Sequence, residues 1–398
     1  MKSIIKKYFK RSNRSLNNID RSIMQDLLNP IWSGKNYYNF AKEAYQNNVI
    51  ASRCINLIAK SAATIDWILY KKCKNQVIEN HPILNLLHHP NPSCGGAEFF
   101  EAFFSYKIIS GNGYMLAVQN NDNSSIELHL LRPDRVSIIP GRSSIPYGYS
   151  YKVGDKEVMY KVDQDTGVGD ILHLKNFNPL DDWYGLSQVE AASYSIDLHN
   201  QASVWNQALL QNGAKPSGAL ILKSSQSGSD YLSEEQFTRL QDQLREKFSG
   251  SVNAGKPLLL EGGLEWQEMS FSPKDMDFME TKNSSARDIS LAFGVPPHLL
   301  GIKGDNTYSN MQEARLAFWE DTVIPLIDKT VDALNNWLVP FFGSDIRLSY
   351  DINKVSALSA KQEKIWERMQ KSNFITQNEK RAAVGLPPIA GKEYETLD

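Results

Sequence analysis

Four side chains that could bind a metal lie close together in the sequence: His81, His88, His89 and Cys94. Structural zinc sites use histidines and cysteines at recognisable spacings, such as a C-x₂₋₄-C pair followed by an H-x₃₋₅-H pair. These four residues fit no such pattern, and prolines at 82, 90 and 92 predict a rigid loop between them. We therefore expect satisfied polar or surface histidines and no metal.

Two further segments each match part of a known ligand-binding motif. Asp163-x-Asp165 resembles the start of a calcium loop, but Val168 replaces the required glycine and Leu174 replaces the terminal acid. Gly111-Asn112-Gly113 is a turn before a predicted strand and is by itself too weak a signal for a phosphate site. Neither segment predicts a bound ion.

Motifs of catalysis are missing from the sequence. It contains no GxxxxGK[ST] phosphate loop and no GxGxxG, HExxH or GxSxG motif. We therefore predict a protein that is not an enzyme, with no catalytic residue and no cofactor. A cytosolic enzyme with a scattered site is the alternative class, and it has no visible site to support it.

The length, charge and composition of the chain further limit the class of protein. The chain has 398 residues, which favours two or three domains, and its 43 basic and 45 acidic residues give a net charge of −2. A near-neutral chain does not favour tight non-specific binding of nucleic acid. No apolar run approaches the ~20 residues of a membrane helix, so we expect no membrane partner. Three cysteines without a CxxC pair fit a reducing, cytosolic setting.

Six basic residues precede the first acidic residue, Asp20. The apolar stretch near them is too short for a secretory signal. We predict that residues 1–35 form a basic, flexible N-terminal arm, with a transit peptide or an anion-contacting arm as alternatives.

Residues 36–185 divide into a helical part and a strand-rich part. Apolar-rich segments at 49–59 and 97–109 predict helices, the second ending at Gly111. Short apolar runs separated by Gly, Pro, Asn and Asp then predict an antiparallel sheet region. The predicted strands are Tyr114–Val118, Ile126–Leu131, Val136–Ile139, Tyr147–Val153, Val158–Val162 and Ile171–Leu174.

Two long helices are predicted around a small insertion. The first runs over 187–212, about 39 Å, from a capping box of Ser187 and Glu190 to Asn212-Gly213. The second has Ser272 as its N-cap and ends at Gly294. The insertion between them reads as strand Leu220–Leu222, a helix from Ser233 to Phe248, and a strand pair at 257–260 and 264–271. The first helix is rich in Ala, Ser, Gln and Asn, which allows close packing with neighbours but also fits a partly buried helix in an ordinary bundle.

The C-terminal third begins with a polar loop, Gly301–Asn310. A helix of about 43 Å then runs from Ser309 to Leu338, and Pro325 predicts a kink within it. Ile346–Tyr350 reads as a strand that returns to the earlier sheet, and the tail from Ser359 is helical, with Thr376 and Glu379 capping its last helix. The overall fold class is α+β.

Several segments, in this order along residues 45–390, resemble the portal proteins of long-tailed bacteriophages and gene transfer agents. They are Leu131-x-Pro133 with Val136, Tyr184-Gly185-Leu186-Ser187, Asn212-Gly213-Ala214-x-Pro216-x-Gly218, Ala254-Gly255-Lys256-Pro257, Leu260-Glu261-Gly262-Gly263, Phe293-Gly294-Val295-Pro296-Pro297, Leu300-Gly301, Tyr308-Ser309-Asn310, Pro325-Leu326, Asn378-Glu379-x-Arg381 and Gly385-Leu386-x-Pro388. Each motif is weak alone, and their joint order is specific. Gln188 departs from the proline that the resemblance leads us to expect.

The resemblance implies a portal-type subunit: an α/β wing, a two-helix stem, a small β-α-β-β clip, a kinked long helix and a helical crown. The implied divisions are the arm 1–35, wing 36–185, stem helices 186–213 and 273–298, clip 214–272, tunnel loop 299–310, long kinked helix with a wing strand 311–354, and crown 355–398. The tunnel loop would contact DNA through Gly301, Ile302, Lys303, Gly304, Asp305, Asn306 and Thr307. Stem packing would involve Ala191, Ala192, Ala202 and Ala208.

The implied function is a homo-oligomeric ring of about twelve subunits at one capsid vertex. Double-stranded DNA would pass through its channel during packaging and ejection. The implied partners are the terminase large subunit, a head–tail adaptor and the major capsid protein, in a virion assembled in the bacterial host cytoplasm. Another phage neck or connector ring component is the alternative, although such components are usually much shorter.

Overall fold

The computed structural model describes residues 34–72, 76–119, 126–141, 144–211, 218–222, 264–268, 278–302, 308–371 and 376–383, with parts of 234–242 and residue 389. Almost all of the predicted basic arm lies outside these residues. The described chain mixes helices and sheets, as the α+β class predicts. None of the helices in these ranges is both long enough and apolar enough to span a membrane.

Eleven helices are present in the described ranges, apart from short 3₁₀ turns and the helical parts of 234–242. They are α1 Tyr37–Asn39, continued by a π-helical segment Phe40–Gln46; α2 Val49–Ala63; α3 Pro82–His88; α4 Gly96–Ser110; α5 Gln188–Ala191; α6 Ser193–Gln211; α7 Phe278–Phe293; α8 Tyr308–Phe318, continued by a π-helical segment Trp319–Val323; α9 Ile324–Trp337; α10 Ser359–Lys371; and α11 Gln377–Ala383.

The main core forms where α2 packs against α4. Asn48 starts α2 by accepting a hydrogen bond from the Ala51 backbone N–H at 3.0 Å. Gly111 ends α4 in the left-handed conformation, with φ 77°, as predicted. The inward face of α4 is aromatic, with Phe99, Phe100, Phe103 and Phe104 all buried. These two helices form the platform on which the later elements rest.

Eleven strands form four small antiparallel sheets in the described ranges. The strands are β1 Trp67–Lys71, β2 Gln76–Ile78, β3 Asn112–Gln119, β4 Ile126–Leu131, β5 Val136–Ile139, β6 Gly148–Val153, β7 Lys156–Lys161, β8 Ile171–Lys175, β9 Gly218–Leu222, β10 Leu264–Glu268 and β11 Ile346–Tyr350.

All six strands predicted between 113 and 175 are present as β3 to β8. They form two three-stranded sheets, in the orders β4–β3–β8 and β5–β6–β7. A second core, which includes Tyr114, Leu116, Ile138 and Tyr149, is built from the strands of both sheets.

The predicted partner of β11 was wrong. We expected Ile346–Tyr350 to return to the sheet of residues 113–175, but it pairs antiparallel with β1, with Trp67 opposite Tyr350. The region 36–110 was expected to be helical, so β1 and β2 were missed. Trp67 and Leu69 are buried and alternate with more exposed residues, the pattern of a strand with one face on the core.

The first long helix is broken. The prediction ran it unbroken from 187 to 212, whereas α5 ends at Ala191, Ala192 (φ −90°, ψ 0°) is not helical, and α6 begins at Ser193. The Ala192 backbone N–H bonds back to the carbonyls of Gln188 and Glu190, which tightens this turn. The predicted stop at Asn212-Gly213 lies outside the described residues.

Between the long helices, β9 pairs antiparallel with β10, with Leu222 opposite Leu264. The expected pairing of 264–271 with 257–260 stays a prediction, because 257–260 lies outside the described residues. The described parts of 234–242 are helical, as predicted. Gly294 has φ 68° directly after α7, which confirms the predicted end of the second long helix.

The long helix after residue 308 is continuous but changes its winding before Pro325. The Ile324 backbone N–H bonds to the carbonyl of Trp319, five residues back, which is a π-helical bond. Proline has no N–H to continue the α-helical pattern, and a π-helical turn is one of the known irregularities of long helices. The irregularity predicted at Pro325 therefore takes the form of a π-helical segment.

The C-terminal helices follow the prediction closely. Thr376 and Glu379 form the expected capping box before α11: the Thr376 N–H donates to Glu379 Oε2 at 2.8 Å, and the Glu379 N–H donates to Thr376 Oγ1 at 3.3 Å. The Asn378 side chain exchanges two hydrogen bonds with the backbone of Ile389. Asn378 thus holds the chain that follows α11 against that helix.

Candidate functional site: the junctions of the long helices

Just before the first long helix begins, the backbone at Gly185 is in close contact with the backbone at Gly111. A Cβ atom on Gly185 would lie 2.2 Å from the carbonyl oxygen of Gly111, and one on Gly111 would lie 2.4 Å from the carbonyl oxygen of Gly185. Real Cβ contacts are not this short, so neither position tolerates a side chain unless the backbone moves. The glycine of the Tyr184-Gly185-Leu186-Ser187 motif is therefore explained by close approach to the end of α4.

Asn112 holds this contact in place. Its Oδ1 accepts hydrogen bonds from the Gly185 N–H at 2.7 Å and from His173 Nε2 at 3.0 Å. His173 stacks on Tyr114 with ring centroids 4.4 Å apart. Burial, assisted by Lys175, lowers the pKa of His173 to about 3, so this imidazole is neutral at pH 7. A neutral ring with Nε2–H satisfies Asn112 and adds no charge of its own to the junction.

Ser187 and Tyr184 complete the junction. Ser187 Oγ donates to the carbonyl of Ile109 at 2.6 Å and accepts from the N–H of Val189 at 3.0 Å, so it caps α5 and ties it to α4. Tyr184 accepts a hydrogen bond from the Ile138 N–H at 2.9 Å, which ties the same segment to β5. Glu190 does not close the predicted capping box; its carboxylate lies 3.4 Å from Lys35 Nζ.

The second long helix ends at a similar junction. A Cβ on Gly294 would lie 2.7 Å from Thr322 Oγ1, and this hydroxyl donates to the Gly294 carbonyl at 2.6 Å. Gly294 therefore serves both as the left-handed residue that ends α7 and as the point of close contact with the π-helical segment. This gives a physical reason for the glycine of the Phe293-Gly294-Val295-Pro296-Pro297 motif.

The predicted tunnel loop, 299–310, is described at both of its ends. Tyr308–Asn310 already belong to α8, so the predicted end of the loop and the predicted cap at Ser309 were wrong. Gly301 is exposed with φ 72°, where it ends a 3₁₀ turn, and Ile302 is buried. The side chain of Ile302 thus anchors the start of the loop in the subunit. Lys303, Gly304, Asp305, Asn306 and Thr307 lie outside the described residues, so their contact with DNA stays a prediction.

The predicted stem-packing alanines fall on two faces. Ala192 and Ala202 are buried within the subunit, whereas Ala191 and Ala208 are exposed. α6 and α7 pack side by side. Only the exposed pair is available to a neighbouring molecule.

The sequence analysis missed a row of large side chains on α6, which we call the α6 stripe. Tyr194, Leu198 and Trp205 are 58%, 43% and 38% exposed. They stand at positions i, i+4 and i+11, which share one face of a helix. Leu291 on the adjacent α7 is 80% exposed. This spacing is present in the sequence and could have predicted the stripe, although Ala, Ser and Gln are the more abundant residues of the helix.

Of the metal candidates, His81 and Asp163 have structural roles, whereas the side chains of His88 and His89 are exposed. His81 Nδ1 accepts from the Ile83 N–H at 3.3 Å and so caps α3. Asp163 accepts from the Asp165 N–H at 3.0 Å and from the Thr166 hydroxyl at 2.8 Å, which makes a turn. Among the residues that the structure covers, no three His, Cys, Asp or Glu side chains come together as a metal site.

The family model for phage portal proteins matches residues 50–385. The chain therefore belongs to the phage portal protein family, and the resemblance read from its motifs is confirmed. It is 53% identical over 348 residues to an uncharacterized protein of Rickettsia bellii (strain RML369-C), covering 87% of this chain and 89% of that protein. It is 26% identical over 355 residues to the portal protein of Enterobacteria phage HK97, covering 85% and 78% of the two chains.

Solved structures agree with this assignment. A chain from the neck of an empty GTA particle, computed with C6 symmetry, is 41% identical, with a TM-score of 0.71, covering 91% of this chain and 96% of that one. A chain from the neck of a native GTA particle, computed with C12 symmetry, is 40% identical, with a TM-score of 0.68, covering 91% and 96%. An HK97 family phage portal protein from Corynebacterium diphtheriae shares the fold at 15% identity, with a TM-score of 0.54 and coverage of 78% and 94%.

Proposed function

We propose that this chain assembles into a closed ring of about twelve copies at one capsid vertex, and that double-stranded DNA passes through its central channel. The observation that carries the proposal is the α6 stripe together with membership of the portal family. The C12 symmetry of the related GTA neck supports the subunit number. The ring would be part of a virion assembled in the bacterial host cytoplasm.

The α6 stripe supports a contact between copies. Exposed apolar side chains clustered on one helix face mark interaction surfaces more often than scattered ones do. In a ring, one face of each subunit meets a different face of the next, so the contact is heterologous and closes on itself. Tyr194, Leu198 and Trp205 supply one such face, and Ala208 continues it by one further turn.

The described elements support the proposed division into parts. Residues 36–185 would be the wing, the helices at 186–213 and 273–298 the stem, and 214–272 the clip. Residues 299–310 would be the tunnel loop, 311–354 the long helix with its wing strand, and 355–398 the crown. The β9–β10 pair lies between α6 and α7 in sequence, where a clip is expected. β11 pairs with β1, which supports its place as a wing strand.

Passage of DNA favours weak contacts. A net charge of −2 gives the subunit no overall excess of positive charge to attract DNA, and each phosphate that it does neutralise adds binding free energy that falls with salt. We propose that Lys303 in the tunnel loop supplies a ring of cations that touches DNA. Lys303→Ala should leave ring assembly intact and alter DNA packaging or retention.

The proposed partners are the terminase large subunit during packaging, a head–tail adaptor afterwards, and the major capsid protein around the vertex. Energy for packaging would come from the terminase, because the sequence has no phosphate loop. We propose that the chain itself catalyses no reaction. Purified rings should show no nuclease or ATPase turnover that a point substitution in this chain removes.

Native mass spectrometry of the full chain tests the ring. At micromolar concentration we expect a single large species of about twelve copies. Leu198→Glu places a charge in the α6 stripe and should release subunits, since burial of an unpaired charge is costly. Val158→Glu is the matched control, because Val158 is similarly exposed on β7, away from the stripe. A monomeric or dimeric wild-type chain, or rings that survive Leu198→Glu, would contradict the proposal.

A further inference from the structure

A small cavity of about 140 Å³ lies where α4, α5 and α9 meet. Its polar lining consists of Lys107, Asn176, Gln188, Thr322 and Lys329, and the other lining residues are aliphatic or proline. We call it the junction pocket. None of its lining residues, all in the described part of the chain, is acidic. Two cations thus face one cavity that contains no negative charge.

Lys107 is the unusual member of this set. The residue is only 4% exposed, although lysines are almost never fully buried unless they are paired. Its Nζ donates one hydrogen bond, to Asn176 Oδ1, and within the described residues no carboxylate lies within ion-pair distance. Asn176 is itself fixed, since its Nδ2 donates to the Leu186 carbonyl at 3.0 Å. An ammonium group has three donors, so two remain for a ligand.

Gln188 gives a second, independent observation. Its side-chain oxygen is buried and has no hydrogen-bond partner in the described structure. A half-turn of this amide would present its two N–H donors to the cavity instead. Gln188 is also the position at which the sequence departs from the proline expected at the start of this helix. The unsatisfied amide is therefore a feature of this chain and of this pocket.

We propose that the junction pocket binds a small oxyanion, with hydrogen phosphate preferred over a monovalent carboxylate, between Lys107 and Lys329. Charge-assisted hydrogen bonds from two ammonium groups match a divalent anion better than a monovalent one. Burial and the neighbouring Lys329 lower the pKa of Lys107 to about 8, so the group is still mostly protonated at pH 7. A cavity of this size is also large enough for several atoms, since one water needs only about 10–15 Å³.

The pocket joins three elements that the proposed function uses. Lys107 lies on α4, Gln188 begins the first long helix, and Lys329 lies on α9 just after Pro325. A bound oxyanion would therefore bridge the platform, the start of α5 and the long helix. Its expected effect is to hold these three elements in one arrangement.

Calorimetric titration of inorganic phosphate into the full chain at pH 7 and constant ionic strength tests the proposal, with acetate as the second probe. We expect saturable phosphate binding that is tighter than acetate binding. Lys107→Met should weaken phosphate binding by at least about tenfold, which is typical for loss of a hydrogen bond to a charged group. Lys329→Met should weaken it in the same direction.

Two variants keep the test decisive. Lys156→Met removes an exposed lysine on β7 and should leave phosphate binding unchanged. Gln188→Pro should fold, because a first helical position has no need of its N–H, and it should weaken phosphate binding through loss of the amide. Absence of saturable phosphate binding by the wild-type chain, tighter binding of acetate, or equal phosphate affinities in the wild type, Lys107→Met and Lys329→Met would each overturn the proposal.

Discussion

Gly185→Ala is the substitution that most directly tests the first junction. The new methyl group would lie 2.2 Å from the Gly111 carbonyl oxygen and 2.6 Å from the Asn176 backbone nitrogen. Both are backbone atoms, so no side chain can rotate away to relieve the clash. Overpacking of this kind costs about 1–3 kcal/mol. Movement of the backbone would also break the 2.7 Å bond from the Gly185 N–H to Asn112, worth about 1 kcal/mol.

The combined cost of about 3 kcal/mol should be visible as a lower midpoint of thermal unfolding. At about 2–4 °C per kcal/mol for a unit of 150–250 residues, we expect a decrease of about 6–12 °C. Circular dichroism of the purified full chain measures this midpoint. Gly95→Ala is the matched control, since nothing lies within 4 Å of the position of its Cβ. A Gly185→Ala midpoint within 1 °C of the control would refute the argument from close approach.

Three further substitutions test the remaining contacts by the same thermal measurement. Ser187→Ala removes the cap of α5 and leaves the Ile109 carbonyl without its partner, so we expect a loss of about 2 kcal/mol; no change would contradict the tie to α4. Thr322→Val keeps the shape but removes the 2.6 Å bond to Gly294, for a loss of about 1 kcal/mol, whereas Thr64→Val, which loses only a bond within its own helix end, should cost less. In chloride buffer, the free energy of unfolding of Lys107→Met should change less with pH in the alkaline range than that of the wild type. The pKa of Lys107 falls from 10.5 to about 8 on folding, so the unfolded chain binds more protons between these values, and wild-type stability should rise with pH there by up to about 3 kcal/mol relative to the variant. Lys329 is the other charged group that lines the pocket. If the free energies of unfolding of the wild type and the variant depended on pH in the same way, the lowered pKa of Lys107 would be contradicted.

Local patterns were sufficient to predict most of the strands. The six strands between 112 and 175 are short apolar runs bounded by turn residues, and both signals lie within a few residues of each strand. The helix ends at Gly111 and Gly294 were predicted for the same reason, because a left-handed residue after a helix favours glycine. The capping box of Thr376 and Glu379 was equally local.

Contacts between distant segments could not be predicted in this way. β11 pairs with β1, although Trp67 and Tyr350 lie at opposite ends of the chain. Nothing in either strand specifies the other, since both are short and have one apolar face. The break at Ala192 was also missed because alanine is the best helix former. The start of this helix is held by contacts between distant segments, since Ser187 is tied to Ile109 and Gly185 lies against Gly111.

The candidate site was predictable only in part. The motifs singled out Gly185, Ser187 and Gly294, but the partners that explain them became visible only in the fold. Lys107 was not singled out from the sequence, because a lysine in the last turn of a helix is ordinary. Its burial results from the approach of Asn176 and Gln188, which lie far along the chain.

The two junctions fix the directions of the long helices without using the side chains on the outward faces of these helices. α5 and α7 are fixed to the body of the subunit by close contacts of Gly185 with the backbone of Gly111 and of Gly294 with the side chain of Thr322. Hydroxyl bonds from Ser187 and Thr322 add to these contacts. These contacts require no large side chain on the outward face of either long helix. The α6 stripe can therefore be exposed without loss of the helix direction. Substitutions at the junctions should then affect folding and assembly together, whereas substitutions in the stripe should affect assembly alone.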